Sequence, residues 1–230
     1  MTDRLIDTFD AILFDLDGTL VDTAPDMVAI LLGMQKDHGL TLLPYDLARS
    51  HVSNGAAGLV RLAFPEADDA QKEQLHREYL GRYENAVCVD STLFPALGDL
   101  LDQLDAAGRP WGIVTNKPMR MTDPLLAGLG LSSRAACSIS GDTLPQRKPD
   151  PAPLLLASRQ MGVASAKTVY VGDAVRDIEA GRAAGMFTIA ASWGYITDDD
   201  DPGAWQADLI AADTQELTHY LLKGVNLDSG

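Results

Sequence analysis

The chain has 230 residues, of which 33 are acidic and 18 are basic, so its formal net charge is −15. This acidity argues against a nucleic-acid partner or an anionic membrane surface, because both attract positively charged proteins. An anionic substrate stays compatible with it, provided that a few Lys or Arg side chains or a metal ion supply positive charge locally.

The composition is typical of a soluble globular protein, with 46% hydrophobic and 22% charged residues. No apolar run reaches the length of a membrane span. The opening residues are too acidic and too poor in apolar residues for a signal peptide. Two cysteines, Cys88 and Cys137, are too few for a disulfide framework. We therefore expect a cytoplasmic α/β protein with no membrane or nucleic-acid partner.

The first apolar run, at residues 9–14, is short and predicts a buried strand. Helical patterns that end at a glycine separate the later runs from one another. Alternation of strand and helix predicts a parallel sheet with helices on both faces. The later apolar runs lie at residues 111–115, 137–140, 168–171 and 187–191.

The stretch from about residue 23 to residue 90 does not follow this alternation of strand and helix. A capping residue, an early proline and an acid predict a helix that starts at Thr23 and ends at Gly39. Two more helical patterns follow, at 54–63 and 69–83, with no convincing strand among them. We predict an all-helical cap domain at residues 23–90, inserted into a core of residues 1–22 and 91–230. The alternative is one domain with an irregular excursion.

Polar side chains follow several of the predicted strands at the point where each strand ends. In parallel α/β sheets, ligands gather at the carboxyl ends of the strands. We therefore expect these side chains, together with a lysine that follows the third strand at some distance, to converge at one rim. The set consists of Asp15, Asp17, Thr115, Asn116, Lys148, Asp173 and Asp177.

The spacing of the acids indicates a cation site. Asp15 and Asp17 lie two positions apart on extended chain, so their side chains point to the same side. Asp173 and Asp177 lie four apart at a helix start, one above the other. A buried group of carboxylates repels itself and implies a cation. With oxygen ligands only, a hard ion such as Mg²⁺ is expected.

This combination of groups suits phosphoryl transfer, which requires neutralised phosphate charge and a nucleophile held in line. A shared Mg²⁺ would remove the repulsion between a carboxylate and a phosphate dianion. Asp15 would then attack phosphorus to form an aspartyl-phosphate. Asp17 would protonate the leaving alcohol and afterwards deprotonate water. Thr115 and Lys148 would hold the phosphoryl oxygens.

The stretch FDLDGTLVDT resembles the first motif of the haloacid dehalogenase superfamily. Thr115 matches the second motif, Lys148 the third, and the Gly-Asp pair at 172–173 with Asp177 the fourth, all in the family order. The resemblance implies a Rossmann-like core and a helical cap after the first motif. It also implies that Asp15 is the nucleophile and Asp17 the acid and base.

The same resemblance implies a set of metal and phosphate ligands. Mg²⁺ would be bound by the Asp15 carboxylate, the Asp17 backbone carbonyl and Asp173. Asp177 would support the metal through water, and Asn116 would orient the phosphate contacts. The partner would be a small phosphorylated metabolite, bound by a monomer or a homodimer.

Residues at single positions exclude some of the activities found in this superfamily. Family dehalogenases lack the acid at the position of Asp17, and family transport ATPases carry Lys and Thr where Leu16 and Asp17 stand. A phosphatase or, less favoured, a phosphomutase remains. A non-catalytic phosphoacceptor receiver would place its phosphorylated Asp after the third strand. A non-catalytic scaffold would have lost one of the key groups, and none is lost.

Longer stretches suggest the substrate. DGTLVDTAPD and YVGDAVRDIEAGRAAGM resemble phosphoglycolate phosphatases, which makes 2-phosphoglycolate the first expectation. PWGIVTNKP and KPDPAPLLLASRQMGV also resemble N-acetylmuramic acid 6-phosphate phosphatases. Glycolate would require a cationic partner in the cap, whereas a bulky amino sugar would require room and neutral hydrogen bonds. The candidate cap residues for reading the leaving group are Arg49, His51 and the turn formed by Ser53, Asn54 and Gly55.

Overall fold

The computed structural model describes residues 4–223. Its strands are β1 (Ala11–Phe14), β2 (Val21–Asp22), β3 (Thr92–Leu93), β4 (Trp111–Val114), β5 (Cys137–Ile139), β6 (Thr168–Gly172), β7 (Phe187–Ala191) and β8 (Leu209–Ala211). Six of them form one parallel sheet in the order β5-β4-β1-β6-β7-β8. The predicted parallel α/β sheet is thereby confirmed.

Ten α-helices lie in the described part of the chain. They are α1 (Leu5–Thr8), α2 (Ala24–Asp37), α3 (Tyr45–Ser50), α4 (Gly55–Ala63), α5 (Asp69–Glu84), α6 (Leu97–Ala106), α7 (Met119–Gly128), α8 (Ala152–Met161), α9 (Val175–Ala183) and α10 (Thr214–Leu222). Three short 3-10 turns lie at Val52–Asn54, Ser165–Lys167 and Pro202–Ala204. Among residues 4–223, no helix combines the length and the apolar character that a membrane crossing requires.

Successive strand residues face opposite sides of the sheet, and helices cover both sides. Ile12 and Phe14 pack in one apolar cluster, which includes residues of α6 and α10. Leu13 packs in a second cluster, which includes residues of α8 and α9. Because both faces are buried, β1 is apolar at every position rather than at alternate ones. The predicted helices on both faces are therefore confirmed.

Residues 24–84, here called the helical segment, contain α2 to α5. The strands β2 and β3 flank it and pair antiparallel, with Val21 opposite Leu93 and Asp22 opposite Thr92. This two-stranded ribbon coincides with the predicted boundaries of the inserted cap. The apolar residues of the segment belong to the same cluster as one face of the sheet. The division into two domains stays a prediction.

Several bounds differ from those predicted. β1 begins at Ala11 rather than residue 9, and α4 begins at Gly55 after a 3-10 turn. α5 begins where its sequence indicates, because Asp68 forms a capping box with Gln71. The strand β8 and the helices α1, α3 and α10 were not predicted.

Candidate active site

The carboxyl ends of β1, β4 and β6 meet at the floor of a cavity. Phe14, the last residue of β1, pairs with Ile113 of β4 and Val171 of β6, so the residues that follow these strands share one edge. The chain crosses from β5 to β6 on the other side of β1, which makes this edge a topological switch point. The cavity has a volume of about 580 Å³. Its lining includes the predicted residues Asp15, Asp17, Thr115, Asn116 and Lys148.

Lys148 joins several polar groups at the cavity floor. Its ammonium donates hydrogen bonds to Asp15 Oδ1 at 2.7 Å, to the Val114 carbonyl at 2.9 Å and to the Tyr170 hydroxyl at 2.9 Å. It also forms an ion pair with Asp177 Oδ1 at 2.7 Å. The lysine side chain is only 1% exposed, so its charge acts on these two carboxylates with little screening by solvent.

Three carboxylates crowd together beside Lys148. Asp15, Asp173 and Asp177 are all buried, and one oxygen of each lies within 4.8 Å of the others. Burial raises the pKa of Asp15 to about 7, against the opposing effect of Lys148 and with the help of Asp177 and Asp173. Burial and the charge of Asp177 raise the pKa of Asp173 to about 6. A further cation beside these carboxylates would favour the ionised forms of Asp15 and Asp173.

The donor set fits a hard divalent cation. All three groups offer carboxylate oxygens, which are the ligands that Mg²⁺ and similar ions take. The Asp17 carboxylate is not part of this group. Its predicted contribution to a metal site is through the backbone carbonyl, which leaves its side chain available for other contacts.

Glycines allow the chain to approach two of these acids closely. A Cβ atom at Gly18, which has φ +87°, would lie 2.2 Å from Asp173 Oδ2. A Cβ at Gly194 would lie 2.2 Å from the Asp173 Cβ, and one at Gly172 would lie 2.3 Å from the Asp177 Cβ. These distances exclude any larger residue without displacement of the acids.

Asp17 is held by a second buried lysine. Asp17 Oδ1 accepts hydrogen bonds from the Thr23 hydroxyl at 2.7 Å and from Lys117 Nζ at 2.8 Å. Lys117 also donates to the Tyr83 hydroxyl of α5 at 2.9 Å. Burial alone would lower the pKa of Lys117, but the charge of Asp17 raises it above its usual value. Lys117 is therefore an ammonium in the folded protein.

Thr115 and Asn116 leave β4 toward the cavity. The Thr115 N–H donates to the Ile139 carbonyl at 2.9 Å, and its hydroxyl oxygen accepts from the Lys117 N–H at 3.1 Å. The Asn116 side chain forms two hydrogen bonds of 3.1 Å with the backbone of Lys148. Asn116 thus fixes the loop that carries the floor lysine. The predicted phosphate contacts of both residues stay a prediction.

The candidate residues of the helical segment separate into two groups. Ser53, Asn54 and Gly55 line the cavity. Arg49 and His51 do not: Arg49 Nη1 donates to both oxygens of Asp22 at 2.7 and 3.0 Å, and His51 Nδ1 lies 2.9 Å from the Leu47 carbonyl. The Arg49 guanidinium is thus engaged in an ion pair beside the ribbon.

Two hydrogen bonds to Asp173, and one that supports them, had not been predicted. The Ser53 hydroxyl donates to Asp173 Oδ2 at 2.7 Å, and the Tyr195 N–H donates to the same oxygen at 2.9 Å. Arg176 Nη2 donates to the Ser53 carbonyl at 2.7 Å. Arg176 lies inside the fourth motif, and Tyr195 lies shortly after β7. These positions are signals from which both residues could have been predicted to lie near the site. Ser53 brings the helical segment into direct contact with the cluster.

A family model for haloacid dehalogenase-like hydrolases matches residues 9–185, which is most of the chain. The chain belongs to the haloacid dehalogenase-like hydrolases, as the four motifs and the parallel sheet predicted. This finding confirms the resemblance on which the fold class was based.

Named relatives align with nearly the whole length of this chain. A phosphoglycolate phosphatase of Xanthomonas campestris is 46% identical over 90% of this chain and 94% of its own. An N-acetylmuramic acid 6-phosphate phosphatase of Pseudomonas aeruginosa is 42% identical over 92% of this chain and 94% of its own. A crystal structure of a predicted phosphoglycolate phosphatase from Haemophilus somnus superimposes with a TM-score of 0.79 at 27% identity, covering 92% of this chain and 98% of that one. The expectation of a phosphatase-type hydrolase is confirmed.

Proposed function

We propose that this enzyme is a Mg²⁺-dependent phosphatase that hydrolyses a small phosphomonoester through an aspartyl-phosphate on Asp15. One observation carries the proposal: the buried Asp15 carboxylate faces a cavity beside Lys148 and within 4.8 Å of two further carboxylates. A nucleophile, a cation and an oxygen-rich metal site therefore meet at one point, which is the set of groups that phosphoryl transfer requires.

Each residue of the site has a separate role in the first step of the reaction. When bound by Asp15 and Asp173, with Asp177 in support, Mg²⁺ supplies the positive charge that favours ionised carboxylates and offsets their repulsion of a phosphate. An oxygen of Asp15 attacks phosphorus, and the bond from phosphorus to the leaving alcohol oxygen breaks. Asp17 gives its proton to that oxygen. Lys148 and Thr115 hold the transferred phosphoryl group through charge and hydrogen bonds.

The second step releases phosphate. The Asp17 carboxylate takes a proton from water, and the water oxygen attacks phosphorus while the bond to Asp15 breaks. Asp15 and Asp17 return to their starting states, so that one ester and one water give one alcohol and one inorganic phosphate. The helical segment covers the cavity and limits the access of bulk water during the first step.

The decisive experiment is the identification of the phosphorylated residue. Rapid quench with a radiolabelled phosphomonoester is expected to label Asp15, and beryllofluoride is expected to bind at the same carboxyl. Asp15→Asn should abolish turnover while circular dichroism shows the wild-type fold. Label at another residue, or brisk hydrolysis by Asp15→Asn, contradicts the mechanism.

The cavity bears on the choice between the two substrates. A volume of about 580 Å³ lies in the range that proteins use for drug-sized ligands, and glycolate is only a two-carbon leaving group. The helical segment contributes Asn54, Gly55, Ala56, Ala57 and the titratable His76 to the lining, but neither a lysine nor an arginine. The arginines of the lining belong to the core; they are Arg120, Arg147 and Arg176. By the criterion of room and neutral hydrogen bonds, this favours an amino-sugar phosphate, such as N-acetylmuramic acid 6-phosphate, over 2-phosphoglycolate, which is the first expectation from the sequence.

A direct comparison tests the substrate. We expect phosphate release from both N-acetylmuramic acid 6-phosphate and 2-phosphoglycolate, with the larger kcat/KM for the sugar. Asn54→Ala should reduce kcat/KM for the sugar more than for p-nitrophenyl phosphate, because Asn54 lines the cavity on the side of the helical segment, where we expect the leaving group to lie. Turnover of 2-phosphoglycolate alone would reject the sugar and leave the phosphatase mechanism in place.

A further inference from the structure

Lys117 is buried where the core meets the helical segment. Its side chain is 4% exposed, and it follows Asn116 directly at the end of β4. Its ammonium donates to Asp17 Oδ1 at 2.8 Å and to the Tyr83 hydroxyl at 2.9 Å, and it lies 3.9 Å from the Met27 sulfur. One partner belongs to the core, and the other two belong to α5 and α2.

The contacts of Asp17 all fall on one of its two oxygens. Both the Lys117 ammonium and the Thr23 hydroxyl donate to Oδ1. Among residues 4–223, no hydrogen bond reaches Oδ2, and Asp17 is part of the cavity lining. A carboxylate that is held by one oxygen keeps the other available to give or take a proton.

We propose that Lys117 is a positioning residue that fixes Asp17 by Oδ1 and leaves Oδ2 as the oxygen that exchanges a proton with the substrate and with water. The inference rests on the proposed function, which gives Asp17 its role as acid and base. A proton that leaves Asp17 creates a carboxylate, and an ammonium at 2.8 Å stabilises that product of the transfer. Lys117 itself neither touches the ester nor transfers a proton.

The arrangement also makes Asp17 dependent on the helical segment. An ammonium has three protons to donate, and in a buried site each requires an acceptor. Lys117 obtains two of its acceptors, the Tyr83 hydroxyl and the Met27 sulfur, only while the segment lies against the core. The Tyr83 ring adds a cation–π contact, with Nζ 4.6 Å from its centroid. The helical segment thereby fixes the position of Lys117, which in turn fixes Asp17.

The test compares two substrates whose leaving groups differ in their need for a proton. Departure of an alkyl alcohol requires protonation, whereas departure of p-nitrophenolate does not. In Lys117→Met, kcat for the alkyl phosphate should fall by about 10² or more, the size of a proton-transfer contribution. The loss for p-nitrophenyl phosphate should be at least about tenfold smaller, with KM for both substrates close to wild type.

A pair of tyrosine variants provides the matched control. Tyr83→Phe keeps the ring and removes the hydroxyl that accepts from Lys117, so it should shift the ratio of the two kcat values in the same direction as Lys117→Met. Tyr79 is equally buried on α5, but its hydroxyl donates to the Met27 carbonyl at 2.8 Å. Tyr79→Phe should leave that ratio at the wild-type value. If Lys117→Met does not fold, the tyrosine pair decides alone.

Rapid-quench labelling of Asp15 is measured for the wild type alongside each variant. Equal losses with both substrates in Lys117→Met and Tyr83→Phe, or a Tyr79→Phe ratio that moves as far as that of Tyr83→Phe, would overturn the role of Lys117. Absence of label in a wild-type enzyme that turns over would instead overturn the proposed function. The two failures are therefore distinguishable.

Discussion

Two buried lysines at the cavity floor each bind an acid of the first motif, but their surroundings differ. Lys148 binds Asp15, and its other partners belong to the sheet and the helix that follows β6. Lys117 binds Asp17 and extends to Tyr83 of the helical segment. The lysine that binds the proposed nucleophile therefore has all of these partners within the core. The lysine that binds the proposed acid has one partner in the core and another in the helical segment.

The largest expected effect is a difference in the free energy of unfolding between variants of the two lysines. Lys148→Met leaves Asp15 and Asp177 buried without their cation, which typically costs about 3–5 kcal/mol. Lys117→Met should cost less, because the Asp17 side chain is 17% exposed and reaches solvent. Urea unfolding gives both values. The double variant that adds Asp15→Asn should recover part of the Lys148→Met loss, and equal costs for the two lysines would remove the distinction.

The next effect concerns the packing of the core acids. A Cβ at Gly172 would lie 2.3 Å from the Asp177 Cβ, so Gly172→Ala must displace this carboxylate. Overpacking of this kind costs about 1–3 kcal/mol. Urea unfolding should show that loss, and a titration with Mg²⁺ should show weaker binding than in the wild type. Wild-type stability together with wild-type metal affinity would show that the site adapts to the added methyl group.

A third effect links the acid cluster to pH. In metal-free protein the folded-state pKa of Asp173 is about 6, against an ordinary value of 3.8. Between these values the folded state keeps a proton that the unfolded state has lost. The free energy of unfolding that this group contributes therefore falls as pH rises from 4 to 6, by up to about 1.4 kcal/mol per pH unit.

Urea unfolding in a chelator, at several pH values in this window, measures the difference between wild type and Asp173→Asn. That difference should decrease as pH rises, and added Mg²⁺ should weaken or reverse the trend because a bound cation favours the ionised carboxyl. A difference that increases with pH in the chelator would contradict the raised pKa.

The smallest effect lies in the helical segment and has the opposite sign. Gly81 is exposed on α5, and a Cβ there would have no atom within 4 Å. Gly81→Ala should therefore stabilise the protein by about 0.5–1 kcal/mol through the helix propensity of alanine. Thermal unfolding measures the gain, and kcat should be unchanged. A loss of stability would show that α5 is more closely packed at this turn than its exposure indicates.

The sequence predicted the core better than its surroundings, for a physical reason. Once parallel strands were recognised, the residues after each strand were expected to meet at one edge, and this predicted that Asp15, Thr115 and Asp173 lie close together. Two-residue strands such as β2 and β3 have no hydrophobic period to detect. The strand β8 is short and only partly buried, so it lacked the apolar run that marks the central strands.

Contacts across the cavity required the structure. Lys117 and Tyr83 are 34 positions apart, and nothing local in the sequence couples them. Arg49 had the charge that a carboxylate-binding residue needs, but Asp22 accepts its hydrogen bonds. The choice of partner for a long side chain depends on how α3 and α5 pack, which periodicity does not specify.

The ribbon of β2 and β3 has an evolutionary consequence. The chain leaves the sheet and returns to it at neighbouring positions, with Val21 opposite Leu93. A segment whose two ends lie side by side can be lengthened, shortened or exchanged without altering the order of the six parallel strands. A hydrolase of this architecture can thus acquire different cavity walls by remodelling a single contiguous stretch, while the proposed nucleophile Asp15 stays unchanged.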